Sequence, residues 1–290
     1  MLTVMSHVPS RVLVTGAAGR LGSAVLRRLA AQGVAVVGLD RLDPGGIETF
    51  FTGSADDVEL VAAALTGVDT VIHLAAIPQP GLDADEKVFV GNAAATFVVL
   101  DQAARVGVRR AVIASSLSIT GLPFSPKPAV PDYVPVDEAM PLQVADPYAL
   151  SKQADEATAD MVARRDGMDV VALRFPMLGT PEFLAKEAIK YREDPGVGAG
   201  SLWAYLDTRD AATACWRSVT ADVTGSRPLY VAAPDTLSPY PTAELVARYL
   251  PGTLVRTPLP GRSVPIDTSA AAAALGFVAE HLMDITPGAL

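Results

Sequence analysis

A doubly wound α/β fold, with a parallel sheet covered by helices on both faces and a smaller C-terminal lobe, is what the sequence predicts. Short apolar runs alternate with longer amphipathic stretches through the first 175 residues. A glycine-rich turn joins the first run to the first amphipathic stretch, and the alternation fades after Phe175, where prolines recur. Val/Ile/Leu runs without polar alternation mark strands buried on both faces, and parallel strands need crossover helices between them.

The elements expected in order are strands at 11–15, 34–39, 48–51, 70–74, 110–114 and 170–174, with helices at 21–32, 57–65, 87–106 and 148–165. Segment 121–147 carries Pro123, Pro126, Pro128, Pro131, Pro135, Pro141 and Pro147. Proline removes a backbone donor and clashes with the preceding turn, so this segment is neither regular helix nor central strand. A loop of such length inside a domain usually serves function. The alanine run 270–274 reads as helix. A larger domain is expected at 1–175 and a smaller, partly helical lobe at 176–290, closing over a ligand and able to exchange segments with the first.

Bulk properties exclude several classes. The 290 residues are 50% hydrophobic, enough for a sizeable core. Cys215 is the single cysteine, so an intrachain disulfide and a cysteine zinc site are both out, and His7, His73 and His281 are too scattered for a metal motif. A net charge of −9 argues against a general nucleic-acid binder. The first ten residues lack the basic start and apolar stretch of a leader, and the longest apolar runs are too short to cross a bilayer. A soluble, cytoplasmic protein with a small-molecule partner is expected.

The turn Thr15-Gly16-Ala17-Ala18-Gly19-Arg20-Leu21-Gly22 lies between the first strand and the first helix. Gly16 permits the tight turn, Gly19 lets backbone approach a pyrophosphate, and Gly22 lets the helix pack on the sheet; the helix N-terminus offers free N–H groups to phosphate. The second strand ends at Asp40, where a carboxylate accepts hydrogen bonds from a ribose diol and repels a 2′-phosphate. NAD is therefore expected over NADP, although the neighbouring Arg41 could pair with such a phosphate. This is a Rossmann-type arrangement.

Tyr148-Ala149-Leu150-Ser151-Lys152 opens a helical pattern, so tyrosine and lysine share one face. An ammonium close to a phenol favours its ionised form and readies it to exchange a proton with a substrate hydroxyl. Ser115-Ser116 follows a strand, where a serine can hydrogen-bond the same hydroxyl.

With these motifs in this order, the sequence resembles the extended short-chain dehydrogenase/reductase family, the group of NAD-dependent epimerases and dehydratases. Supporting matches are His73-Leu74-Ala75-Ala76, Asn92, Ser116 with Gly121, Leu173-Arg174-Phe175, Tyr205-Leu206-Asp207-Thr208-Arg209-Asp210 and Leu275-Gly276-Phe277. The resemblance implies that Ser116, not Ser115, acts with Tyr148 and Lys152 in catalysis. It implies cofactor contacts from Gly16, Ala18, Gly19, Arg20, Leu21, Gly22, Asp40, Arg41, Ser54 and Ala55. Further contacts are implied from Leu74, Ala75, Ala76, Asn92, Ala114, Tyr148, Lys152 and Phe175. His73 is structural by the same resemblance, while Trp203 and Tyr205 either stack on a ligand or belong to the core.

Departures from the family pattern narrow the chemistry. Dehydratases carry an Asp-Glu pair, and uronate dehydrogenases Asn-His, where this chain has Leu117 and Ser118. Thr120 replaces a tyrosine common in 4-epimerases, 174–179 lacks the usual asparagine, and Ser54 stands in for an acidic adenine contact. The expected function is NAD-dependent oxidation of a hydroxyl on a sugar-like or nucleotide-sugar substrate, with epimerisation through transient oxidation as the alternative. A non-catalytic NAD(P)-sensing protein is the alternative of another class, although such proteins commonly lose the Tyr/Lys pair. The helices at 87–106 and 148–165 are expected to pair across a two-fold axis in a homodimer.

Overall fold

The computed structural model describes residues 8–290; His7 and the first seven positions of the stretch read for a leader lie outside the described residues. The first half runs β1 (Arg11–Thr15), α1 (Arg20–Ala31), β2 (Ala35–Asp40), β3 (Thr49–Thr52), α2 (Val58–Ala64), β4 (Thr70–His73), α3 (Asp85–Arg105) and β5 (Arg110–Ser116). Then come β6 (Tyr133–Val134), α4 (Pro147–Asp166), β7 (Asp169–Phe175), β8 (Met177–Gly179), α5 (Pro181–Glu193) and β9 (Tyr205–Asp207). Last are α6 (Thr208–Thr220), β10 (Ser226–Tyr230), α7 (Thr242–Tyr249), β11 (Leu254–Val255) and α8 (Ser269–Leu275).

Seven strands form one parallel sheet in the order β10-β7-β5-β4-β1-β2-β3. Successive side chains in a strand face opposite sides. Val12 and Val14 of β1 accordingly join Val25 and Leu29 of α1 and Cys215 and Val219 of α6 on one face, whereas Leu13 joins Val61, Val99 and Val162 of α2, α3 and α4 on the other. This two-sided burial is why the strand sequences read as unbroken apolar runs. Local signals set the helix ends: α4 begins with the Asp146 carboxylate accepting the Ala149 N–H at 2.8 Å and Pro147 in the first turn. It stops at Gly167, whose φ of 65° is left-handed.

The two packing units interleave about residue 175. Strand β10 and helix α6 lie beyond it yet belong to the sheet and its cover. Conversely, Leu117, Leu122, Tyr133, Val134 and Met140 pack into a separate core with Trp203, Tyr205, Leu245 and Ile266. Two small parallel pairs, β6 with β11 and β8 with β9, frame that second unit. β10 was absent from the sequence expectation because Ser226-Arg227-Pro228 breaks its apolar run. Proline is tolerated there because the strand is the sheet's edge. The chain leaves β1 toward β2 on one side and returns to β4 on the other, so a crevice opens at the carboxyl ends of these strands, where doubly wound sheets bind ligands.

Candidate active site

The floor of the crevice is the turn after β1. Gly16 has φ +69°, and a Cβ there would lie 2.7 Å from the Ala75 nitrogen; a Cβ on Gly22 would lie 2.1 Å from the Gly16 carbonyl oxygen. Only glycine permits this approach of α1 to the sheet. Gly19 is the N-cap of α1 and no side chain caps it, so the helix presents its amides to the cavity lined by Gly19, Arg20, Leu21 and Gly22. The cradle fits a dinucleotide pyrophosphate: backbone donors converge where an added side chain would collide. Arg20 reaches across the mouth, donating from Nη1 to the Leu178 carbonyl at 2.9 Å with its guanidinium 4.7 Å above the Phe183 ring.

Asp40 closes β2. Its Oδ2 accepts the Ala18 N–H at 2.9 Å and its Oδ1 the Leu42 N–H at 3.3 Å, so the carboxylate is held against the glycine turn. The Gly53 N–H bonds the Asp40 carbonyl at 2.9 Å and brings the turn after β3 alongside. Arg41 and Ser54 are exposed and Ala55 is buried. Ala18, Asp40, Arg41, Ser54 and Ala55 are not among the residues that line the cavity. Leu74 and Ala76 do line it; Ala75 does not, its N–H directed to Thr15 Oγ1 at 3.3 Å.

Asn92 is buried behind the loop after β4, where Oδ1 accepts the Ile77 N–H at 2.8 Å and Nδ2 donates to the Ile77 carbonyl at 3.0 Å and to Ser151 Oγ at 3.2 Å. It holds the wall in place from outside the cavity. His73 is structural, as expected: Nδ1 meets Thr15 Oγ1 at 2.7 Å and Nε2 meets Thr96 Oγ1 at 3.1 Å. Burial, with the Lys152 charge behind it, pushes its imidazole down to about 3, so it stays neutral.

Ser116, Tyr148 and Lys152 meet at the end of β5 and the first turns of α4, all lining the same cavity of about 860 Å³ together with Ala114 and Phe175. Lys152 Nζ lies 5.6 Å from the centroid of the Tyr148 ring and donates to the Ala114 carbonyl and to Asp155 Oδ2, both at 2.9 Å. Burial is the largest influence and works against the ammonium, but Asp155, Tyr148 and Glu156 together outweigh it, and the lysine is held above its ordinary range. Ser118 donates to Ser116 Oγ from its N–H at 3.1 Å and its hydroxyl at 2.9 Å, which leaves the Ser116 proton to be given elsewhere. The two serines of the pair diverge. Ser115 also lines the cavity, but its hydroxyl donates to Glu156 Oε1 at 2.6 Å, and Glu156 is gripped by Arg174 at 2.9 and 2.8 Å.

The opposite wall comes from the loop after β5 and from 176–201. Phe124 stands edge-on to Tyr148, centroids 6.0 Å apart at 77°. Farther along are Met177, Phe183, Glu187, Tyr191 and Ser201. None of these was foreseen, nor was Asp155, because no local spacing marks them. They arrive by tertiary packing: Gly200 sits so close to the proline loop that a Cβ would lie 2.9 Å from the Leu122 carbonyl. Trp203 and Tyr205, left between stacking and core, are both fully buried: Trp203 Nε1 donates to the Pro195 carbonyl at 2.7 Å, and the Tyr205 hydroxyl donates to Asp235 at 2.8 Å. They are core.

Among known proteins, the chain is 38% identical over 172 residues to a UDP-glucose 4-epimerase of Mycolicibacterium smegmatis, covering 52% of this chain and 50% of that one. It is 28% identical over 223 residues to an L-arabinose 1-dehydrogenase (NAD(P)(+)) of Haloferax volcanii, covering 75% and 85% respectively. It thus spans about half the length of several curated relatives it matches. A crystal structure of a short-chain dehydrogenase/reductase superfamily protein from Agrobacterium tumefaciens with bound NAD superposes with a TM-score of 0.72 at 25% identity, covering 94% of both chains. The fit to a family model runs over residues 12–232, from the first strand of the sheet to past the last and through every segment that walls the crevice. By that span the chain belongs to the NAD-dependent epimerase/dehydratase family.

Proposed function

We propose that the protein is an NAD-dependent oxidoreductase that acts on a hydroxyl of a sugar-like or nucleotide-sugar substrate. The observation that carries this reading is the meeting of Ser116, Tyr148 and Lys152 in one cavity with the glycine cradle. NAD, when bound, supplies the hydride acceptor. Gly16, Gly19, Arg20, Leu21 and Gly22 would hold its phosphates, Asp40 its ribose diol, and Leu74, Ala76, Ala114 and Phe175 would line its course. Tyr148 exchanges the substrate hydroxyl proton, Ser116 donates to the substrate oxygen as carbonyl character develops, and Lys152 keeps a positive charge beside the phenol. Release of the oxidised product would make the reaction a dehydrogenation; re-reduction of the same carbon from its other face would make it an epimerisation. The matches to an epimerase and to a sugar dehydrogenase support both outcomes. Asp40 supports NAD over NADP, which paired fluorescence titrations of the two cofactors measure.

The decisive variant is Tyr148→Phe. It is expected to lower turnover by about 10²- to 10⁴-fold while the NAD dissociation constant stays near that of the wild type. Wild-type turnover by this variant rejects the assignment, and NAD binding without turnover on any sugar or alcohol points instead to a cofactor sensor. A homodimer through α3 and α4 is supported by Val90, Phe97 and Leu150, which these helices expose; a monomer mass at micromolar concentration rejects it. No described helix is long and apolar enough to cross a membrane, and the fully buried thiol of Cys215 suits a cytoplasmic setting.

A further inference from the structure

A single 3₁₀ turn, Leu117–Thr120, follows β5 and brings a second serine to the catalytic one. Ser118 lines the cavity although it is almost fully buried. It gives Ser116 Oγ two hydrogen bonds, from its N–H at 3.1 Å and from its hydroxyl at 2.9 Å. The first is the usual cap of such a turn, in which a serine side chain accepts the N–H two residues on. Capping does not require the second. The turn itself is held firmly: Leu117 and Ile119 are buried, Thr120 Oγ1 donates to the Leu117 carbonyl at 2.7 Å, and the Gly121 N–H bonds the Ser118 carbonyl at 2.8 Å.

A serine hydroxyl has two lone pairs and one proton. With both lone pairs of Ser116 taken by Ser118, that hydroxyl is closed as an acceptor and open only as a donor. Each bond it accepts also polarises it, which strengthens the bond it donates. Ser115 shows the contrast: its proton already goes to Glu156 at 2.6 Å, so of the adjacent pair Ser116 is the one with a proton to offer. A substrate hydroxyl arriving here meets a donor at Ser116 and must pass its own proton to another group. We infer that Ser118 is a positioning residue, whose hydroxyl locks Ser116 as donor to the reacting oxygen and so leaves Tyr148 to take the substrate proton. This rests on the oxidoreductase reading above and assigns its two hydroxyl groups opposite directions of proton donation.

Two measurements test it. Ser116→Cys puts a thiol in place of the hydroxyl, and its alkylation by iodoacetamide against pH reads the donors aimed at that atom without any substrate. Cys215 is fully buried and stays silent. Adding Ser118→Ala is expected to raise the pH of half-maximal alkylation by about half a unit or more, because a donor to the thiolate is lost. Tyr148, Lys152, Asp155, Glu156 and Arg174, the titratable groups around this end of β5, are common to both proteins, so the difference reads Ser118. An unchanged pH overturns the inference. The second measurement is turnover with NAD, followed as oxidation of L-arabinose and as epimerisation of UDP-glucose. Ser118→Ala is expected to lower kcat about tenfold or more with NAD affinity and melting unchanged, and Ser118→Thr, which keeps the hydroxyl, to retain most of it. In a Ser116→Ala background Ser118→Ala is expected to change nothing further, since it acts through the missing hydroxyl. A further fall there of the same size, or full activity in Ser118→Ala itself, overturns the inference. Wild-type turnover by Tyr148→Phe sinks the oxidoreductase reading, not the hydrogen bond that alkylation reads. Where neither probe is converted, alkylation alone decides.

Discussion

The two walls of the crevice are built in different ways. The cradle wall is local: Gly16, Gly19 and Gly22 occupy one turn, Asp40 ends the adjacent strand, and Tyr148 and Lys152 share one helical turn. Each position is demanded by backbone geometry or by a fixed spacing. The facing wall is collected from distant segments, with Phe124 from the proline loop, Met177 from β8, Glu187 and Tyr191 from α5, and Ser201 from the turn before β9. Only packing brings those side chains together. Substitutions at the glycines of the first wall should therefore act on fold and cofactor together, and substitutions on the second on substrate alone.

Three changes probe that contrast. The largest effect is expected from Asp155→Asn, which strips the buried Lys152 of its counter-charge; breaking such a pair costs about 3–5 kcal/mol. The folded-state value of Lys152 lies above its ordinary 10.5. As pH rises the unfolded chain therefore loses this proton first. The stabilisation is complete below that ordinary value and is lost as pH climbs through the folded one. Urea unfolding of both proteins should show a gap at neutral pH that shrinks in strong alkali; a constant gap removes the ion pair as its cause. Next comes Gly22→Ala, whose Cβ would meet the Gly16 carbonyl at 2.1 Å. A destabilisation of about 1–3 kcal/mol is expected, with NAD affinity falling alongside, read by melting and by titration. Ordinary NAD affinity in that variant breaks the picture of a cradle that tolerates no side chain. The smallest effect belongs to Phe124→Ala, which removes a ring contact worth about 0.5–1.5 kcal/mol. It should raise KM for the substrate and leave NAD binding unchanged, and a variant that weakens NAD instead erases the distinction between the walls.

The same contrast explains what could be read in advance. Strands at 11–15 and 70–74 were legible because burial on both faces demands an unbroken apolar run, and α4 because Tyr148-Ala149-Leu150-Ser151-Lys152 opens a helical pattern. β10 was not, since an edge strand tolerates Arg227 and Pro228. The bonds that tie Asn92 to Ile77 could not be read in advance, because position along a helix does not say which neighbouring loop a side chain will grip. Ser118, noted only for the acid it is not, donates to Ser116 and orients it.

By itself the sequence determined the parallel sheet, the glycine cradle with Asp40, and the helical pairing of Tyr148 with Lys152. All of these follow from periodicity, from φ and steric limits at glycine, and from fixed intrahelical spacing. The tertiary structure alone decided that Asp155 pairs with Lys152, that Ser115 and Ser116 take different partners, that Phe124 meets the phenol ring, and that Glu187, Tyr191 and Ser201 line the same cavity. The physical reason is that these contacts join segments far apart in the chain, where the choice of partner depends on how whole elements pack, and no local residue pattern encodes it.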